Sequence, residues 1–177
     1  MSVSSRKILF LLAIIFLVYA AVRLTTNQPA QSRPREVTDS TFYLKISQKP
    51  AFDVQSWSGR TLLFPLLLRI TKQDTSLVSS IQVGFSILAW GLLAFFISAS
   101  IQTVWLKPLS FGIILALSLV RQLASWDYVI LTESLSISWF VLFLALGIWL
   151  SHSWRVDKVI ALCIAGFFLA FTRDTNA

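Results

Sequence analysis

Charge is scarce in this sequence, and sulfur and histidine are scarcer. Only 13% of the 177 residues are charged, about half the share of an ordinary soluble domain. From Thr75 to Leu106 there is no charged residue at all. The one cysteine, Cys163, lies inside an apolar run and excludes an intrachain disulfide. With a single histidine, His152, it also leaves no Cys/His zinc site. There is no GxxxxGK[ST], GxGxxG, HExxH or GxSxG pattern, so nucleotide cradling by a P-loop and the common soluble hydrolase chemistries have no sequence support. No internal repeat, heptad array or low-complexity tract appears.

What the chain has instead is hydrophobic length. Apolar residues make up 56% of it and are gathered into runs interrupted by short polar stretches. A soluble helical core does not need uncharged runs of membrane length, so the pattern predicts an all-α, polytopic transmembrane helical bundle. The net charge of +7 would suggest nucleic acid in a soluble protein. Here the cations sit between apolar runs, which points to lipid head groups or lipid phosphates and not to nucleic acid.

About five spans are expected, near 8–24, 77–98, 105–121, 129–150 and 157–172, all within one domain covering 1–177. Arg6 and Lys7 precede the first, "ILFLLAIIFLVYAAV", which also fits a signal peptide ending at "VYA". The later spans favour a retained anchor. A loop over 25–74 follows. It opens with the irregular "TTNQPAQSRPRE" and continues with "EVTDSTFYLKI", where Asp39 is placed to N-cap a short helix carrying Tyr43 on the same face. Then comes "GRTLLFPLLLRIT", too short to span. With Arg60 and Arg69 at its ends, it reads as an interfacial helix that Pro65 breaks or kinks.

With the N-terminus inside, the short loops and the N-terminal tail obey the positive-inside rule through Arg6, Lys7, Lys107, Arg155 and Lys158. The long outer loop departs from it, with seven cations between Arg33 and Lys72. An anionic substrate would account for that excess.

Few residues in such a chain can carry chemistry. Glu133, in "LTESLSISW", would lie about 6 Å into a helix that began at Val129. There it reads either as a site-lining acid in a wet, serine-flanked entrance or as a helix-end acid among head groups. Asp39 is a solvated loop acid or cap on local evidence. Arg60 and Arg173 stand at the boundaries of apolar segments, where interface anchoring accounts for most arginines. No metal ligand set and no cofactor is indicated, although a divalent ion is compatible with the chemistry below.

In order and spacing, these pieces resemble the start of a GT-C type membrane glycosyltransferase, the superfamily of protein O-mannosyltransferases and lipid A aminoarabinose transferases. The matching features are an N-terminal span, "TDSTFYL", "GRTLLFPLLLRI", two further spans, "LTESLSISWF" and "AGFFLAFTRDTNA". Thr61 stands where the family often has Pro after Arg60, and Asp174 where Pro commonly follows the final Arg. The resemblance covers nearly the whole chain but only about the first half of a typical member, so an N-terminal fragment is expected.

It implies transfer of a sugar from a polyprenyl-phosphate carrier to a lipid, glycan or protein acceptor on the outer face of the plasma (inner) membrane. Asp39 would be the general base and Glu133 a second acid of the site. Tyr43, Arg60 and Arg173 would bind substrate, the arginines at the departing phosphate. Two other readings compete. In a non-enzymatic transporter or assembly subunit Glu133 would line a pathway or pair with Arg121 or Arg173, and Asp39 would be replaceable. A lipid phosphatase is disfavoured, because no outer segment carries the histidine its common versions use.

Overall fold

The computed structural model describes residues 3–32, 34–49 and 63–172. The described residues are helical throughout apart from short connections, with one isolated bridge between Arg35 and Val129 and no strand. The helices are α1 (Val3–Ser32), α2 (Thr38–Gln48), α3 (Leu63–Ile70), α4 (Thr75–Ser100), α5 (Leu106–Ser118), α6 (Arg121–Ala124), α7 (Thr132–His152) and α8 (Val156–Thr172). A 3-10 turn, Ser125–Tyr128, joins α6 to the approach to α7.

Three of these helices are long and apolar enough to cross a membrane: α1 over Arg6–Thr26, α4 and α7. A fourth crossing is reached if α5 and the segment Arg121–Tyr128 count as one span bent by 56°. Among the described residues, the count of about five spans expected from the sequence is therefore not confirmed. The expected third span stops at Ser118, and Val120 leaves helical geometry at φ −57°, ψ 129°. The "QLASWDY" link is itself helical, over Arg121–Ala124 and Ser125–Tyr128, and Arg121–Tyr128 lies at 56° to α5. The expected fourth span starts at Thr132 and not 129, because Val129 and Leu131 are extended.

Two contacts fix the direction of α4 relative to α7. Gln82 Nε2 donates to Leu131 O at 3.0 Å near one end, and Ser100 Oγ meets His152 Nε2 at 3.1 Å at the other. The two helices therefore run parallel, with α5 carrying the chain back between them. Between those contacts Phe85 packs on Trp139 and Phe96 stacks on Trp149. Helix α8 returns along α7, with Phe168 stacked on Trp139. Helix α1 packs antiparallel to α4 at Gly91, where an added Cβ would come within 2.5 Å of the Phe16 ring. Small residues permit such close approach where no hydrophobic effect drives helices together. Phe10, Leu17 and Val18 point outward from α1, as suits a lipid-facing surface.

One end of the bundle therefore gathers the C-terminal part of α1, helices α2 and α3, the 3-10 turn and the start of α7. The other carries, among the described residues, the start of α1 and the short connections 101–105 and 153–155. At the first end, Tyr43, Phe64, Leu68, Val78, Ile130 and Leu135 form a core that seats α2 and α3 on the long helices.

Local chemistry explains several departures from expectation in this end. Helix α1 continues to Ser32, well into the stretch expected to be irregular, while 34–37 are not helical. Thr25 and Thr26 turn their hydroxyls onto the carbonyls of Ala21 and Val22, so these polar residues fit a helix. Val37, not Asp39, is the N-cap of α2: its N–H donates to Ser40 Oγ at 3.0 Å, and Asp39 lies inside the first turn. Pro65 neither breaks nor ends α3, which runs past it to Ile70 with Pro65 in its first described turn. Helix α3 closes in a Schellman-type turn, with Gln73 N–H donating to Leu68 O at 2.7 Å and Lys72 N–H to Arg69 O at 3.0 Å. Lys72 and Gln73 have φ of 53° and 63°, a conformation that favours glycine. Gln73 Nε2 offsets that cost by donating to Leu44 O and Ser47 Oγ, which ties the turn to α2. Asp74 then caps α4, accepting from Leu77 N–H at 3.0 Å.

Candidate functional site

The loop-bearing end holds two layers of polar groups. The upper layer is an exposed rim. Asp39, in the first turn of α2, and Glu133, in the first turn of α7, are both solvent-accessible. Their helices are fastened together just beneath them. Arg35 N–H donates to Tyr128 O at 2.8 Å and Ile130 N–H to Arg35 O at 3.1 Å, which makes the bridge to Val129. Ser40 Oγ, fully buried, donates to Ile130 O at 2.7 Å. Asp39 is thus one residue from a side chain anchored three residues before Glu133. Each carboxylate sits in the first turn of its own helix, where negative charge complements the helix dipole.

The lower layer is a buried ion pair. Arg23 Nη2 donates to Asp127 Oδ2 at 2.7 Å, with side chains only 1% and 4% exposed. Ser134 Oγ donates to Asp127 Oδ1 at 2.8 Å, and Ser79 Oγ donates to Asp127 O at 3.1 Å. Arg23 also donates to Ser118 O at the end of α5 and, at 3.3 Å, to Ser86 Oγ on α4. The Tyr19 hydroxyl lies 2.8 Å from Ser118 Oγ. The Arg23 guanidinium and the Asp127 carboxylate thus join α1, α4, α5 and α7 at one point. Taking charges out of water is costly, and only close pairing with further hydrogen bonds repays it. The bond from Arg23 to Ser118 O falls where α5 ends, and the bond to Asp127 lies in the segment beyond the bend.

The residues singled out in the sequence fall in different places. Asp39 and Glu133 share the rim. Glu133 is not 6 Å inside a helix as the sequence suggested, because α7 begins only one residue before it. The serines flanking it do pack into protein: Ser134 and Ser138 are buried, while Glu133 itself faces out. Tyr43 lies one turn after Asp39, but its ring is 2% exposed and packs edge-on against Phe64 at 5.2 Å. Arg60 and Arg173 lie outside the described residues. Among the described residues the ion pairs are Arg23–Asp127 and Arg155–Asp157, so neither Glu133 nor Arg121 takes part in one. No group of three His, Cys, Asp or Glu side chains gathers there to hold a metal.

Sequence reasoning misses Arg23 and Asp127, since the first looks like a snorkelling end residue and the second like part of a link. A signal exists all the same. Each is an isolated charge at the edge of an apolar span, and such charges usually find each other.

Comparison of the chain with protein families, with curated proteins and with solved structures gives no match.

Proposed function

We propose that the chain belongs to a GT-C type integral membrane glycosyltransferase. It would transfer a sugar from a polyprenyl-phosphate carrier to a lipid, glycan or protein acceptor at the loop-bearing end. The observation that carries the reading is the fastening of α2 to the start of α7 through Ser40–Ile130 and Arg35–Val129. It places two exposed carboxylates, distant in sequence, at one rim of an apolar bundle.

In the proposed reaction Asp39 accepts the proton of the acceptor hydroxyl as its oxygen attacks the anomeric carbon. The bond from that carbon to the phosphate oxygen breaks, and the phosphate leaves with the electron pair. Negative charge grows on the phosphate, which arginine meets with two parallel hydrogen bonds. Arg60 and Arg173 are assigned that part from the sequence pattern. Glu133 orients the acceptor from the α7 side of the rim. Tyr43 contributes by fixing α2 on Phe64, and through it the position of Asp39.

Helix α3 suits a lipid-borne donor. Phe64 and Leu68 face the core while Ile70 is 71% exposed, so the helix offers apolar surface outward at the depth of the rim. The cations Arg6, Lys7, Lys107, Arg155 and Lys158 belong to the opposite end, which by the positive-inside rule faces the cytoplasm of the plasma membrane.

The test is complementation with the whole gene, wild type against Asp39→Asn, with membrane expression matched. Rescue of a glycan defect by wild type alone is the expected result. Equal rescue by Asp39→Asn removes Asp39 as base. It would favour the second reading, a non-enzymatic polytopic subunit, which the burial of the Arg23–Asp127 pair as a purely internal joint also fits.

A further inference from the structure

At the end opposite the rim, α1, α4 and α5 leave a groove of about 220 Å³ between them. Its walls are Ile8, Leu9, Leu12, Phe95 and Ala99, and its mouth carries Lys107 beside Ser98. We propose that this groove binds one anionic glycerophospholipid, with an acyl chain against the apolar walls and the phosphate at Lys107. The inference is independent of the glycosyltransferase reading.

Four observations support it. The first is depth. Trp105 and Trp154, on the two short connections at this end, are 85% and 82% exposed. Tryptophans so placed sit at head-group level, which sets Lys107, two residues from Trp105, at the level of lipid phosphates. The second is charge. Arg155 is neutralised by Asp157 at 3.0 Å. Lys158 is occupied, its Nζ donating to Trp149 O and Ser153 Oγ while lying over the Trp149 ring. Arg6, Lys7 and Lys107 have no carboxylate partner among the described residues, and Arg6 stands one helical turn before Leu9 of the groove wall. The free positive charge of this end is therefore concentrated at the groove.

The third observation is anchoring. Ser98 Oγ donates to Lys107 O at 2.9 Å and fixes the start of α5 on the end of α4. The N–H groups of Leu106 and Lys107 are taken by Thr103 O and Val104 O, and Pro108 has none, so the Lys107 ammonium is the group this mouth offers a phosphate. The fourth is composition of the walls. They are apolar and narrow, which suits a hydrocarbon chain and gives a soluble anion nothing to hold beyond the mouth.

The experiment is native mass spectrometry of the whole chain released from vesicles of equal phosphatidylglycerol and phosphatidylcholine with identical acyl chains. Wild type is expected to retain one phosphatidylglycerol in preference to phosphatidylcholine. Lys107→Gln should reduce that preference about fivefold, the size of one lysine at an anionic surface. Arg6→Gln with Lys7→Gln should reduce it further, and neither variant touches a buried residue. Ala99→Phe, which fills the groove, should lower retention of both lipids. Equal retention of the two lipids by wild type overturns the proposal, as does an unchanged preference in Lys107→Gln. Displacement of the bound phosphatidylglycerol by inorganic phosphate alone would reduce the site to a simple anion site and overturn it too. A lipid-free dimer would show that a second copy covers the groove, and it would likewise overturn the proposal.

Discussion

Two carboxylates a few residues apart, Asp127 and Glu133, have opposite surroundings. Asp127 is buried and takes hydrogen bonds from Arg23 and Ser134. Glu133 is exposed and, among the described residues, takes part in no ion pair. The first can hold helices together but has no room for a substrate. The second, with Asp39 across the rim, is open to one. These acids of the chain thus divide into a buried joint and an exposed rim, and burial with partners tells them apart better than sequence position does.

Removing the joint tests this contrast most severely. Asp127→Ala strands the Arg23 guanidinium in the bundle and is expected to cost about 3–5 kcal/mol, read as a large drop in thermal midpoint in detergent. Replacing both partners, Arg23→Met with Asp127→Leu, should recover most of that loss. If the double variant is as unstable as the single one, the pair has a role beyond neutralising itself. A smaller effect is expected from Ser134→Ala, which deletes one hydrogen bond to a charged group, about 1.5–3 kcal/mol by the same measurement. Gly91→Ala, which presses on the Phe16 ring, should cost about 1–3 kcal/mol, at the low end if that ring can swing aside. Asp39→Asn stands at the bottom of this scale. Stability should stay within about 0.5 kcal/mol, while sugar transfer falls about 10²- to 10⁴-fold. A large loss of stability in Asp39→Asn would move it from the rim to the joints.

The all-α character and the positions of α1, α4 and α7 are legible in hydrophobic length, because a long uncharged run has few other uses. The bend after Ser118 is not. At that point Arg23 donates to a carbonyl 95 residues away in sequence, a contact no local pattern encodes. The start of α7 departs from expectation for a related reason. Val129 and Ile130 look like the opening of an apolar helix, but Arg35, between α1 and α2, takes Tyr128 O and Ile130 N–H on either side of Val129, while Val129 N–H goes to Trp126 O. At the site, Asp39 and Glu133 stand out by charge alone, whereas their common rim rests on Ser40, a residue with no distinguishing sequence signal. Tyr43 is identifiable as helical and i+4 to Asp39, but its burial comes from Phe64, whose position depends on the packing of α3.

The bend has a consequence for the bilayer itself. Helix α5 has 13 residues, about 20 Å at 1.5 Å per residue, against a hydrocarbon core of about 30 Å. Its continuation to Tyr128 turns away by 56° and so adds less height than its length. The protein therefore presents unequal hydrophobic thickness around its perimeter, full at α4 and α7 and short at α5. Lipids beside α5 must thin or tilt to match, at a cost of fractions of a kcal/mol per Å. The short wall ends at Ser118, whose carbonyl Arg23 holds, so this mismatch lies beside the Arg23–Asp127 joint.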